Sequence, residues 1–168
     1  MTIMARDTRK EWTQCPEGLH QAVCVDVVDL GDQQTQFGIK HQVRLIWQVD
    51  ETNPDDGKRF RVQKKYTLSL NEKANLRKDL ECWRGCKFNA QELEGFDLER
   101  LLAVNCQLQI IHNLTDEGKT YANIQAIIAA AKGIPKIAPE GYVREKDRAK
   151  QQNIADEIDE MTADNIPF

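Results

Sequence analysis

Apolar residues recur at every second position through three early segments of the chain. In 19–31, written LHQAVCVDVVDLG, Val23, Val25 and Val27 share one face of a strand. In 37–49, Phe37, Ile39, His41, Val43, Leu45, Trp47 and Val49 point one way, and Gly38, Lys40, Gln42, Arg44, Ile46 and Gln48 point the other. That alternation predicts a long, half-buried strand with a basic and polar outer face. The run NPDDGK supplies turn chemistry. Beyond it, RFRVQKKYTLSL sets Phe60, Val62, Tyr66, Leu68 and Leu70 against Arg59, Arg61, Gln63, Lys65, Thr67 and Ser69. Lys64 falls on the apolar side, where a bulge or a sheet edge would let it reach solvent. Three strands joined by short connections, GDQQTQ being the first, predict an antiparallel meander.

The period then changes to that of a helix. Ser69 and Glu72 have capping-box spacing, Leu76, Leu80 and Trp83 follow on one helical face, and Gly85 is a suitable terminator. Asn89 with Glu92 predicts a second cap and a short helix through Leu98, Leu101 and Leu102. CQLQIIHN and TYANIQAII, separated by the turn TDEGK, predict a closing hairpin. Five strands with a helical segment between the third and fourth is the chain order of an OB-fold, so the expected class is mainly β, a five-stranded OB-fold barrel. Another small barrel and a sheet capped by helices are the alternatives. The expected organisation is a flexible segment over 1–17, the OB-fold body over 18–132, a Pro- and Gly-containing linker over 133–153, and a disordered acidic tail over 154–168.

Charge sharpens that division. Residues 154–168 contain Asp156, Glu157, Asp159, Glu160 and Asp164 and no base, a charge of −5, whereas the other residues hold 22 acids against 23 bases. An acidic end on a near-neutral body predicts an interaction tail. No stretch approaches the roughly 20 apolar residues of a membrane span, so no membrane partner is expected. MTIMARDTRKEW has no apolar run of secretory length, which makes the cytoplasm the expected compartment. Five cysteines (Cys15, Cys24, Cys82, Cys86 and Cys106) fit a reducing compartment, and no Cys/His set has the spacing of a zinc site.

The outer faces of the second and third strands carry the candidate chemistry. Lys40 and Arg44 on one strand would lie near Arg59, Arg61 and Lys65 on the next, with Gln42 and Gln63 between. Strands about 5 Å apart would make these a contiguous basic surface, suited to polynucleotide phosphates without regard to sequence. Single strands also need rings on which bases stack. Phe37 and Phe60, near strand ends, and Tyr121, after a turn, are the candidate stackers; Trp47 and Tyr66 are expected in the core, and Trp12 would stack or cover the barrel. Phosphate-loop, nucleophile-elbow, zinc-protease and dinucleotide motifs are absent, so neither catalysis nor a cofactor is expected. Asp26 with Asp29, or Cys82 with Cys86, would serve a small metal-dependent nuclease or redox protein. A replication adaptor whose barrel docks protein alone is the other rival.

The final residues, Asp164-Asn165-Ile166-Pro167-Phe168, resemble the end of bacterial single-stranded DNA-binding proteins, which finish in several aspartates followed by Ile-Pro-Phe. Asp164, Ile166, Pro167 and Phe168 match that pattern and Asn165 departs from it. The body is similar to bacteriophage single-stranded DNA-binding proteins over about residues 12–146, through GLHQAVCVDVVDLG, QTQFGIKHQVRLIWQ, YTLSLNEKANLRKDLECWRG and KTYANI. The resemblance implies an OB-fold that coats single-stranded DNA during replication, recombination or repair, in a bacterial host's cytoplasm if phage-encoded. It also implies a tail that recruits replication or repair proteins, and it is compatible with a homo-oligomer.

Overall fold

The computed structural model describes residues 3–5 and 13–163, with side chains followed through residue 156. Trp12 and the tail residues Asp164, Ile166, Pro167 and Phe168 lie outside the described residues. Five strands, β1 (Gly18–Thr35), β2 (Gly38–Thr52), β3 (Arg59–Thr67), β4 (Asn105–Leu114) and β5 (Thr120–Ala129), form one antiparallel sheet in the order β3-β2-β1-β4-β5. Between β3 and β4 come α1 (Asn75–Arg84), α2 (Ala90–Glu94) and a 3-10 turn at Leu98–Leu101; α3 (Glu145–Ala163) follows β5 and is helix across the end of the expected linker and into the disordered tail expected from 154. The fold is mainly β, as the alternation predicts. The two edge strands, β3 and β5, approach each other, but no hydrogen-bonded ladder joins them among the described residues; α1 packs across both.

Inward-facing side chains of the sheet surround the apolar stripe of α1. Val43, Leu45, Trp47 and Val49 of β2, Val62 and Tyr66 of β3, Leu108 and Ile110 of β4 and Ile124 and Ile127 of β5 enclose Leu76, Leu80 and Trp83. The rings of Trp47 and Trp83 lie 5.8 Å apart. The Trp83 indole N–H donates to the Asn105 carbonyl at 2.9 Å, so its one polar atom is satisfied in the core.

Local departures from strict alternation have identifiable causes. β1 carries register shifts between Cys24 and Asp26 and between Asp29 and Gly31. Val23 and Val25 therefore lie with Ile46 on the outer face, while Val27 packs against the main core. The expected polar connection GDQQTQ is strand up to Thr35. Beyond the bulges, β1 and β2 pair only with each other, because the β1–β4 ladder ends at Val23 and the β2–β3 ladder begins at Gln42. The hairpin therefore projects as a two-stranded arm, and Phe37 and Ile39, inward by parity, are 79% and 68% exposed at its tip.

The expected cap at Ser69 does not start α1. The Ser69 hydroxyl accepts from the Asn71 amide and the Asn71 side chain accepts from the Lys73 amide, both at 3.1 Å, so these residues make local turns instead. α1 starts at Asn75, without a side-chain cap, and ends at Gly85, whose φ of 77° suits glycine. The second cap forms as read: Asn89 accepts from the Glu92 amide and the Glu92 carboxylate accepts from the Asn89 amide. Among the described residues no helix is long and apolar enough to cross a membrane.

Candidate nucleic-acid interface

Cross-strand register decides which basic side chains share a face. Arg44 stands opposite Lys65, Ile46 opposite Gln63, Gln48 opposite Arg61 and Thr52 opposite Arg59. Arg44, Lys65, Gln63 and Arg61 therefore occupy the outer face of the β2–β3 ribbon, as their alternation predicts. Lys40 lies farther out, opposite Gln33 in the projecting arm. Lys64 turns the other way, into an edge position where it pairs with Asp79 of α1 at 2.9 Å.

The outer face is not bare. Residues 135–145, read from composition as linker, lie across it. Ile137 is fastened to Asn105 by two hydrogen bonds of 2.9 Å, and its side chain joins Tyr142 over Val23, Val25 and Ile46. The Gln48 side chain donates to the Glu140 carbonyl at 2.6 Å and accepts from its amide at 2.8 Å. Arg59 donates to the Ala138 carbonyl at 2.8 Å and pairs with the Glu140 carboxylate at 3.2 Å. The Arg61 guanidinium lies 5.8 Å from the Tyr142 ring centroid, and Arg148 approaches the same ring at 5.2 Å. Glu145 stands 3.8 Å from Arg44, whose Nε is buried without a hydrogen-bond acceptor. No ion pair engages Lys40, Arg61 or Lys65 among the described residues.

A buried acid holds this strap. Asp26, 1% exposed, accepts from the Tyr142 hydroxyl at 2.8 Å, from Arg144 Nε at 3.0 Å and from the Glu145 amide at 2.9 Å. The last contact places a carboxylate at the N-terminus of α3, where exposed amides favour negative charge. Burial pushes the Asp26 carboxyl up, but bonds from the Glu145 amide, the Tyr142 hydroxyl and the Arg144 guanidinium outweigh it and hold it below the usual carboxylate range. Arg144 also makes two bonds to Glu99, at 2.8 and 3.0 Å, and one to the Val27 carbonyl at 3.1 Å. Asp29, considered with Asp26 as a metal pair, instead bonds His41 in the arm.

Beside the strap, a groove of about 520 Å³ opens where β3 nears β5, lined by Arg59, Arg61, Gln63, Tyr121 and Asn123 together with Thr13–Cys15. Tyr121, 46% exposed, thus lines the same groove as two of the expected phosphate ligands. Phe37 is exposed on the arm. Phe60, offered as a stacker, is 7% exposed and packed in the main core with Val62 and Tyr66, so little of its ring is open at the groove it borders. The expected residues therefore divide into an exposed set without ion pairs among the described residues (Lys40, Arg61, Lys65, Phe37 and Tyr121), of which Arg61 also lies against the strap's Tyr142 ring, and a pair engaged by strap carboxylates (Arg44 and Arg59).

Sequence reasoning missed Tyr142, Arg144 and the role of Asp26. A signal was present, since Asp26 interrupts an apolar run, VCVDVV, and an acid buried among valines requires partners. No protein-family model matches the chain, and no curated protein matches it.

Proposed function

We propose that the protein binds single-stranded DNA without reading its sequence, using an open OB-type barrel, and that it acts by binding rather than by catalysis. A ladder between β3 and β5, whose edges already approach, would close the five strands into such a barrel, with α1 plugging the seam. The observation that carries the reading is the register of β2 and β3. It gathers Arg44, Lys65 and Arg61 on one face, continuous with a groove in which Tyr121 offers a ring beside Arg59 and Arg61. Cations spaced along a ribbon track a backbone, and an exposed ring accepts any base. In the same proposal, the tail residues Asp164, Ile166, Pro167 and Phe168 recruit replication or repair proteins, as the resemblance to bacterial and phage single-stranded DNA-binding proteins implies.

The test is a fluorescence-anisotropy titration of labelled oligo-dT, mixed-sequence single strands and duplex at several salt concentrations. Single strands of every sequence should bind better than duplex. Arg61→Glu with Lys65→Glu should weaken them all alike, and lower the log–log salt slope by about 1.4, at about 0.7 per phosphate contact. Equal duplex binding, or a loss confined to one sequence, refutes the mechanism.

A further inference from the structure

We propose that residues 138–145 are a displaceable competitor for the phosphate-binding cations, lifted from the sheet when single-stranded DNA arrives; the proposal rests on the binding reading above. Two carboxylates already sit where phosphates would go: Glu140 on Arg59 at 3.2 Å and Glu145 beside Arg44 at 3.8 Å. The second contact is longer than a hydrogen bond, and the buried Nε of Arg44 has no acceptor, so this cation is under-served while the strap is down. A phosphate carries charge and several acceptor oxygens, and it can satisfy a guanidinium bidentately.

The strap is built to move as a unit. Its near end is fixed by the paired Asn105–Ile137 bonds, and Gly141 takes a left-handed φ of 62° midway along it. Its far end is held by the Asp26 socket, which receives Tyr142, Arg144 and the Glu145 amide, and by the further bonds of Arg144 to Glu99 and the Val27 carbonyl. Between these ends, both carboxylates face cations expected to bind polynucleotide. Lifting 138–145 would therefore free Arg44 and Arg59 together and uncover the ring of Tyr142, while Lys40, Arg61 and Lys65 make the first contact with the incoming strand.

The experiment pairs affinity with exchange. Glu140→Gln with Glu145→Gln alters two exposed or half-exposed side chains, and its thermal midpoint is checked against wild type. At low salt the double variant should bind oligo-dT roughly two- to thirtyfold more tightly, the range expected for removing two surface ion-pair competitors, and the gain should fade as salt rises. In wild type, the Glu140 and Glu145 amides are bonded to Gln48 and Asp26. Their hydrogen exchange should therefore accelerate on adding oligo-dT, against a background of protection elsewhere. Asp26→Asn, which weakens the socket, should raise strap exchange in the free protein. If wild type binds oligo-dT but the double variant binds no tighter and strap exchange slows, the strap is a fixed part of the surface and the proposal falls while binding stands. If no form binds oligo-dT at any salt, both fall.

Discussion

Asp26→Asn isolates the charge of the buried socket with almost no change in shape. In wild type, one carboxylate oxygen accepts from Arg144 Nε at 3.0 Å; the other accepts from the Tyr142 hydroxyl at 2.8 Å and the Glu145 amide at 2.9 Å. Every partner is a donor. An asparagine can keep its oxygen toward Tyr142 and Glu145, but its amide group then faces Arg144, donor against donor. One charge-assisted hydrogen bond is lost, about 1.5–3 kcal/mol, and Arg144 keeps Glu99 and the Val27 carbonyl, which limits the damage. For a domain of this size, 1 kcal/mol moves the melting midpoint by about 2–4 °C, so a fall of roughly 3–12 °C at neutral pH is expected. The carboxyl is held below its ordinary range in the fold. Its stabilisation is thus present above the unfolded pKa, near 3.9, and is lost as pH falls through the lower folded value. Melting both proteins from pH 7 downward should give a constant gap to about pH 5 and a narrowing gap below it. Equal midpoints at pH 7 would refute the socket's role, and a gap that persists undiminished in strong acid would refute its electrostatic origin.

Two further outcomes follow from exposure. Cys82 and Cys86 are exposed whereas Cys15, Cys24 and Cys106 are buried, and burial raises the Cys15 and Cys24 thiols to about 11 and about 12. A thiol-disulfide reagent at pH 8 should therefore titrate two of the five cysteines in folded protein and the rest only in denaturant, with a fast titration of all five excluding this packing. Phe37→Ala should leave the melting midpoint within about 1 °C, because the ring is 79% exposed, while weakening oligo-dT binding about 5- to 100-fold if the ring stacks on a base; unchanged affinity removes Phe37 from the interface.

The legible parts of the sequence were those governed by one period at a time. Alternation through β2 and β3 sorted Arg44, Gln48, Arg61, Gln63 and Lys65 onto one face, and the ladder pairs them there. It set Ile39 on the apolar face, yet Ile39 is exposed, because parity says which way a side chain points, not whether another layer lies in that direction; Phe37, read as a candidate stacker near a strand end, is exposed. At the arm tip no such layer lies, since β3 and β4 no longer flank the ribbon. It misplaced Val27 because a bulge in β1 resets parity, and nothing in VCVDVV marks the extra residue. The second helix cap was legible since Asn89 and Glu92 satisfy each other locally, whereas the Ser69 cap competed with equally local turns that won.

Composition failed most plainly over 135–145, within the stretch read as linker, and the failure bears on function. Prolines, glycines and charges are what linkers contain, yet here the charges have fixed partners: Glu140 with Arg59, Arg144 with Asp26 and Glu99, Glu145 with Arg44. Buried among these is an asymmetry. The Asp26–Arg144 pair is shielded, with 1% and 17% side-chain exposure, and its rupture would leave an uncompensated charge among valines. The Glu140–Arg59 and Glu145–Arg44 pairs are more open on the acid side, at 72% and 36%, and contribute little individually. A strap whose most shielded ion pair lies in the socket, while its carboxylate contacts over the cations are open, can be tuned at Asp26 without altering the surface it covers. Strengthening Asp26's bonds would suppress binding and weakening them would release it, although Asp26 lies beneath the strap and touches none of the cations that would meet DNA.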